Sequence, residues 1–110
     1  MILGPLHEIA DPGGKGYTLP DRRQVFVIRR GDVVYGYFNA CPHQGVPLDW
    51  KPDVFLSVDK SVIQCATHFA RFRIEDGHCL AGPCVGRALI PLPVAVEDGH
   101  VVARPAPDAG

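Results

Sequence analysis

Two short cysteine–histidine pairs constrain this chain more than any other feature of its sequence. The first is Cys41-Pro42-His43 and the second is Cys65-Ala66-Thr67-His68, with residues 44–64 between them. Each pair brings one thiol and one imidazole together on a short segment, and both groups bind transition metals. A fold that uses all four side chains at one centre must bring two separate loops together.

Two kinds of metal centre fit this set of side chains. In one kind of [2Fe-2S] cluster, two cysteines hold one iron and two histidines hold the other, which raises the reduction potential. A structural zinc site is the alternative, because two thiolates and two imidazoles can surround zinc tetrahedrally. The usual zinc finger places both cysteines before both histidines, whereas the order here is Cys, His, Cys, His. The order therefore favours the iron–sulfur cluster.

The chain resembles the Rieske ferredoxin family over residues 24–103. Residues 41–48 are similar to the first ligand loop of that family, residues 65–72 to the second, and Gly82-Pro83 to the proline loop that covers the cluster. The resemblance implies an all-β fold, an antiparallel β-sandwich with a small cluster-binding subdomain made of the two ligand loops and the covering loop. It also implies a [2Fe-2S] cluster. The ligands that it implies are Cys41, His43, Cys65 and His68.

Runs of β-branched and aromatic residues predict a series of antiparallel hairpins. An Asp-Gly pair between alternating apolar runs is a strong hairpin signal, and no segment has a helical period. The predicted hairpins join residues 24–29 to 33–38, residues 55–58 to 61–64, and residues 93–96 to 100–103. A further strand is expected over residues 71–74, whereas Asp11–Gly16 and Arg104–Gly110 are expected to be turn or tail. The first two hairpins lead into Cys41 and Cys65.

Length and charge limit the classes of protein to consider. The chain has 110 residues, of which 46% are hydrophobic, so we expect a single domain over residues 1–110. Eleven basic and twelve acidic residues give a net charge of −1, which provides no basic surface for nucleic acid or anionic lipid. No apolar run reaches the roughly 18 residues of a membrane span, and the first residues do not resemble a signal peptide. We therefore expect a cytoplasmic protein with neither nucleic-acid nor membrane partners.

The resemblance implies an electron carrier rather than an enzyme. Rieske oxygenases add a mononuclear iron held by two histidines and a carboxylate, and the other histidines here, His7, His78 and His100, share no motif with acidic residues. No dinucleotide fingerprint is present. We expect a ferredoxin that carries one electron from a reductase to a terminal oxygenase or another acceptor. The alternatives are a Rieske-like small subunit of a reductase, such as nitrite reductase, and a structural zinc module that binds proteins.

Four positions in the ligand loops bear on the compartment and the potential. The respiratory branch of the family has one extra cysteine in each loop, joined in a disulfide, where this chain has Gln44 and Thr67. The absence of these two cysteines suits a reducing compartment, which does not favour a disulfide.

High-potential relatives have a serine and a tyrosine where Ala70 and Phe72 stand, and neither side chain here can donate a hydrogen bond to sulfur. The resemblance thus implies a potential toward the low end of the family range of about −150 to +300 mV.

Two cysteines and one aromatic residue leave alternatives open. Cys79 and Cys84 are either ordinary reduced cysteines or a pair with a disulfide or redox role. Phe69 stands where relatives commonly have glycine, which adopts positive φ at little cost. It either distorts the second ligand loop or contributes its ring to shielding or docking.

Basic residues near the ligand loops also have two interpretations. Arg71, Arg73 and Lys51 form either a docking rim for a partner or ordinary solvated charges on strand and loop. The second interpretation is favoured, and a salt-insensitive electron-transfer rate would support it.

Overall fold

The chain is built from antiparallel strands. The computed structural model describes residues 2–39, 55–57, 59–64, 70–82 and 86–104. In this part of the chain, one 3-10 helical turn, Leu6–Glu8, accompanies ten strands. The strands are β1 (Ile2–Pro5), β2 (Gly13–Thr18), β3 (Gln24–Arg30), β4 (Val33–Phe38), β5 (Ile63–Gln64), β6 (Arg71–Phe72), β7 (Cys79–Ala81), β8 (Pro91–Leu92), β9 (Val94–Glu97) and β10 (His100–Ala103). The all-β class predicted from the sequence is confirmed.

The strands form three antiparallel sheets. The first has the order β1-β10-β9, the second β2-β3-β4-β8, and the small third sheet β5-β6-β7. Strand β3 lies at the centre, because its residues 25–28 are all fully buried. Val25 and Val27 pack with the first sheet, whereas Phe26 and Ile28 belong to the core shared with the small sheet. Alternation along one strand therefore joins two hydrophobic layers.

The predicted hairpin of β3 and β4 is confirmed. Val25 pairs with Phe38 at one end of the ladder and Arg30 pairs with Val33 at the other. The two residues between the strands are Gly31 and Asp32, and Gly31 has φ +65°. A two-residue turn with glycine at its first position matches the twist of the strands that it joins.

The predicted hairpin of β9 and β10 is also confirmed. His100 pairs with Glu97 and Ala103 with Val94. Both turn residues have positive φ, +52° at Asp98 and +75° at Gly99, as a type I′ turn requires.

The expectation of a turn or tail over Asp11–Gly16 is wrong for its last four residues. Gly13 to Gly16 form most of β2 and pair with β3. A Cβ on Gly14 would lie 2.9 Å from Ile28 Cδ1 and 3.2 Å from Phe55 Cδ2. Glycine at this position permits close packing in a strand, so a composition typical of turns is misleading here. At the other end of the chain, the Arg104 backbone amide donates a hydrogen bond to the Pro93 carbonyl at 2.8 Å, and residues 105–110 lie outside the described part.

The second predicted hairpin is present with shorter strands. Leu56 and Ile63 form an isolated bridge, and the Ser57 amide donates to the Val62 carbonyl at 2.9 Å. Asp59 accepts hydrogen bonds from the hydroxyls of Ser57 and Ser61 at 2.6 and 2.7 Å. These bonds close the turn, which is where the sequence predicts it. Residue 58 is outside the described part.

The strand expected over residues 71–74 ends at Phe72. A tight turn follows, in which the Gly77 amide donates to the Arg73 carbonyl at 2.8 Å and Gly77 has φ +73°. Strand β7 then begins at Cys79, where the sequence suggests only the start of a covering loop. Three-residue strands carry too little alternation to be recognised from sequence.

Candidate metal centre

The four predicted ligands, Cys41, His43, Cys65 and His68, lie outside the described residues. The same holds for Cys84, Phe69 and Lys51 and for residues 83–85. The structure describes the scaffold that borders these segments on each side. The geometry of the site is therefore built from the ends of the strands that lead into and out of the ligand loops.

The second ligand pair lies between two hydrogen-bonded strands. Gln64 of β5 pairs with Arg71 of β6, so the residue before Cys65 and the residue after Ala70 are cross-strand partners. Ala70 is fully buried. The six residues from 65 to 70 thus connect two points that lie side by side, as in a hairpin.

The segment with the first ligand pair is anchored at both of its described borders. The Asn39 amide donates to the Gln24 carbonyl, and the Gln64 amide donates to the Phe55 carbonyl, both at 2.9 Å. Phe55, the first described residue after the first ligand pair, therefore lies beside the strand that leads into Cys65. Its ring stacks on Phe26 with centroids 4.4 Å apart. The scaffold therefore places Phe55, which follows the first ligand segment, beside the strand that leads into the second ligand pair.

Tyr37 links β4, which leads into the first ligand pair, to the turn after β6, which follows the second ligand pair. It lies on β4, four residues before Cys41, and its hydroxyl donates to the Ile74 carbonyl at 2.5 Å. Burial, with the nearby charges of Asp76 and Glu75, raises the pKa of the Tyr37 phenol to about 12, so the phenol keeps its proton and remains a donor. The sequence predicts only that Tyr37 lies in a strand, because the acceptor of its hydrogen bond is a carbonyl far along the chain.

The start of the covering loop contacts the exit of the second ligand loop. A Cβ on Gly82 would lie 2.8 Å from Ala70 Cα and 3.1 Å from Ala70 Cβ, and Gly82 has φ +103°. Only glycine combines this φ with so close an approach at little cost. The prediction that Gly82-Pro83 begins a loop near the ligand loops agrees with this contact.

Cys79 belongs to the hydrophobic core. It is 8% exposed and shares a cluster with Ile63 and Phe72, and its thiol donates to the Ala81 carbonyl at 3.3 Å. These surroundings are those of a small buried thiol. The question of a bond to Cys84 falls outside the described residues.

The charges beside the small sheet are mixed. Arg73 forms an ion pair with Asp76 at 2.5 Å, and this arginine together with the His78 amide lowers the pKa of Asp76 to about 2. Hydrogen bonds from Ser57 and Ser61, with a smaller contribution from Arg71, lower the pKa of Asp59 to about 2. Both carboxylates are ionised at neutral pH.

The remaining histidines lie on separate elements. His7 is in the 3-10 turn, His78 forms a bridge with Ala88, and His100 begins β10. Within the described ranges no three His, Cys, Asp or Glu side chains are grouped as a metal site would need. The part of the chain that the structure covers has no helix of the length and apolarity required to cross a bilayer.

A comparison with protein families decides the classification. The family model of the Rieske [2Fe-2S] domain matches residues 3–107. The chain belongs to the Rieske family. This match extends beyond residues 24–103, which carried the resemblance, and includes β2 and all but the first residue of β1. No curated protein sequence matches the chain.

Solved structures with the same Rieske fold include separate ferredoxins and domains of oxygenases. The ferredoxin of carbazole 1,9a-dioxygenase from Nocardioides aromaticivorans IC177 has a TM-score of 0.79 and 25% identity, with 96% of this chain and 97% of that chain covered. The ferredoxin of Sphingomonas yanoikuyae B1 has a TM-score of 0.76 and 24% identity, with 96% and 98% covered. The terminal oxygenase of carbazole 1,9a-dioxygenase from Novosphingobium sp. KA1 has a TM-score of 0.80 and 24% identity, but only 31% of it is covered.

Family membership settles the cofactor and the architecture. The Rieske domain is a [2Fe-2S] domain, so the cofactor of this chain is a [2Fe-2S] cluster. The chain contains the donors that such a cluster needs, two thiols and two imidazoles in paired segments. The scaffold fits this group. Gln64 and Arg71, which border residues 65–70, are cross-strand partners, and Gly82 at the start of the covering loop contacts Ala70.

Proposed function

We propose that this protein is a Rieske ferredoxin, an electron carrier without a catalytic site of its own. The observation that carries the proposal is the end-to-end match to the ferredoxin of carbazole 1,9a-dioxygenase, which covers 96% of this chain and 97% of that one. In this proposal residues 1–110 form one Rieske domain. The family match over residues 3–107 supports this extent.

The ligands in this proposal are Cys41, His43, Cys65 and His68. Cys41 and Cys65 hold one iron as thiolates, and the imidazoles of His43 and His68 hold the other. When bound, the cluster supplies a site that gains and loses a single electron. The chain contributes the scaffold, in which Tyr37 ties β4 to the turn after β6 and Gly82 packs on Ala70.

The proposed route of the electron runs from a reductase to a terminal oxygenase. Support comes from a similar structure that contains a ferredoxin in complex with the oxygenase of carbazole 1,9a-dioxygenase. The proposed compartment is the cytoplasm, because the positions of the bracing cysteines hold Gln44 and Thr67 and a reducing compartment does not favour such a disulfide.

A second candidate is a Rieske component that is permanently bound to a larger redox enzyme. The observation that favours it is the same fold inside a terminal oxygenase, with a TM-score of 0.80. A reductase subunit is the corresponding case on the donor side. Either arrangement predicts a stable complex that survives high salt, whereas a ferredoxin associates transiently with its partners.

A relay assay tests the carrier function. The protein is added to a ferredoxin reductase with NADH and a terminal oxygenase, and substrate oxidation is measured with and without it. We expect oxidation only when the protein is present, with a rate that rises with its concentration. Oxidation that is unaffected by its omission, or purification only as part of a high-salt-stable complex, contradicts the proposal.

Single substitutions test the four ligands. Replacement of any of them by alanine should reduce bound iron and abolish the visible absorption of the cluster. His7→Ala is the control for the histidines and Cys79→Ala for the cysteines, since both should retain two irons. A variant of one of the four that keeps a native spectrum would remove that residue from the ligand set.

A further inference from the structure

A cleft of about 380 Å³ lies where strand β2 meets the segment that follows the first ligand pair. Residues 13–15 of β2 and residues 55–57 both line it. Its volume is within the range of about 300–1,000 Å³ that is typical of ligand sites. The residues that line it lie outside the two cysteine–histidine pairs, so the cleft is separate from the candidate metal centre.

Strand β2 directs main-chain groups into this cleft. It is an edge strand of the second sheet, with β3 as its partner. The Leu19 amide donates to the Arg23 carbonyl at 2.8 Å, so every second residue back along β2 exchanges hydrogen bonds with β3. Gly14 lies between two such residues, and its N–H and C=O therefore point away from β3. Within the described ranges no hydrogen bond joins these two groups to another residue.

The segment 55–57 directs a second pair of main-chain groups away from its own sheet. The Ser57 amide and the Phe55 carbonyl both form hydrogen bonds of 2.9 Å with residues 62–64. Leu56 lies between them and forms the non-hydrogen-bonded pair of this bridge. Its N–H and C=O therefore point to the opposite side, and among the residues that the structure describes they have no hydrogen-bond partner.

The charged side chains that line the cleft are Lys15, Lys60 and Glu8. In the part of the chain that the structure covers, none of the three belongs to an ion pair. The Lys60 ammonium donates a long hydrogen bond of 3.3 Å to the Pro12 carbonyl. Two ammonium groups against one carboxylate leave the lining with a surplus of positive charge, which complements an acidic side chain on an occupant.

We propose that this cleft is a docking site for an extended, acidic segment of another protein, which pairs with the strand edges at Gly14 and Leu56. An extended main chain offers N–H and C=O groups at the spacing that a strand edge requires, as in other cases of β-strand addition. A small anion would match the lysines but would leave both edges unpaired. Alternate side chains of the bound segment would face the Leu56 and Lys60 side of the cleft. The proposal does not depend on the electron-carrier function.

A defined peptide tests the proposal by NMR. The isotope-labelled holoprotein is titrated with acetyl-Thr-Val-Asp-Val-Thr-amide, which combines residues that favour extended structure with one acidic side chain. We expect the amide signals of Gly14 and Leu56 to shift together and their exchange with solvent to slow, because both amides become hydrogen-bonded. The absence of a shift in both signals at millimolar peptide would overturn the proposal.

Two N-methylated versions of the peptide separate main-chain pairing from side-chain contact. One has methyl groups on its odd-numbered amides and the other on its even-numbered amides, and the side chains are unchanged. At least one version should bind about tenfold more weakly or worse, because it lacks main-chain donors on the side that meets the edge. Equal affinity of all three peptides contradicts strand pairing. Sodium acetate is a further probe, and if it alone reproduces the shifts, the cleft is an anion site and the proposal is wrong.

The contribution of charge is tested by Lys60→Glu. At low salt this variant should bind the peptide about two- to fivefold more weakly, as expected for the loss of an exposed ion pair, and high salt should remove the difference. Arg22→Glu is the matched control, because Arg22 is exposed, lies outside the cleft and has φ +74° where Lys60 has φ +60°. Equal affinities of the two variants would contradict the acidic character of the occupant.

Iron content is measured for the unmodified protein and for each variant before the titrations. A protein that lacks the cluster contradicts the proposed function. A protein that holds its cluster but does not bind the peptide contradicts only the docking site.

Discussion

At the scale of single residues, Ala70 and Phe72 are two positions beside the second ligand segment whose side chains cannot donate a hydrogen bond to the cluster. Both are fully buried, and neither has a hydroxyl. They stand where high-potential members of the family have serine and tyrosine. Hydrogen bonds to sulfur stabilise the reduced state of a cluster, so their absence favours a low potential.

Phe72→Tyr should raise the midpoint potential. A single neutral hydrogen bond worth about 1 kcal/mol corresponds to a shift on the order of 40 mV for one electron. The potential is measured by spectroelectrochemical titration. Phe26→Tyr is the matched control, because Phe26 is as deeply buried but stacks on Phe55. An unchanged or lowered potential in Phe72→Tyr would show that the new hydroxyl does not reach a ligand sulfur.

Asp76 should titrate with a pKa of about 2 in the folded protein. Its pKa in the folded state is below the ordinary value of 3.8, so its contribution to stability is present above about pH 4 and is lost as the pH falls through 2. Titration of the carboxyl carbon by NMR measures this pKa. Removing the main cause by Arg73→Gln should move it upward, and a pKa that stays near 2 would contradict the assigned role of Arg73.

At the scale of elements, the hairpins differ in how well their sequences predict them. The β3–β4 and β9–β10 hairpins follow from β-branched runs and from the turn residues Gly31 and Asp98-Gly99. Strand β2 is missed, because its glycines serve close packing rather than a turn. The ends of β6 and β7 depend on a bulge and on a tight turn at Gly77, and tertiary contacts decide such details.

The candidate site also has some features that the sequence predicts and others that depend on tertiary contacts. Residue types and spacing predict a metal centre at the two cysteine–histidine pairs, and the family resemblance adds the [2Fe-2S] cluster and the covering loop. Sequence alone cannot reveal the Tyr37–Ile74 hydrogen bond or the Gly82–Ala70 contact, because each joins residues that are distant along the chain. Their partners are backbone atoms, which leave no pattern in the sequence.

Gly82→Ala should destabilise the protein and lower its retention of the cluster. The added methyl group would contact Ala70, and the φ of +103° disfavours any side chain. Gly86→Ala is a matched control, since Gly86 has φ +92° but nothing within 4 Å of the added Cβ. Thermal unfolding and the rate of iron loss to a chelator are measured for both. Equal effects would show that the contact with Ala70 is unimportant.

Tyr37→Phe should lower the free energy of unfolding by about 1–3 kcal/mol, because it leaves a buried carbonyl without its hydrogen bond. Tyr35→Phe, on the same strand, removes a hydroxyl from a half-buried side chain and should cost less. Denaturant unfolding gives both values. Faster loss of iron in Tyr37→Phe than in Tyr35→Phe is expected if the hydrogen bond holds the two loop scaffolds together. Identical behaviour of the two variants argues against that role.

At the scale of the whole molecule, three sheets share two hydrophobic layers that meet at β3. The two larger sheets form the sandwich, and the small sheet borders the second ligand pair and the start of the covering loop. The hydrophobic clusters of the described residues lie in the sandwich and beneath the small sheet.

The electron paramagnetic resonance spectrum of the reduced protein, purified without oxygen and analysed for iron, sulfide and zinc, tests the central claim most directly. The account predicts a rhombic [2Fe-2S] signal with a low average g value, about two irons per chain and no stoichiometric zinc. A colourless protein with no signal and one zinc per chain would contradict it and leave a structural zinc module.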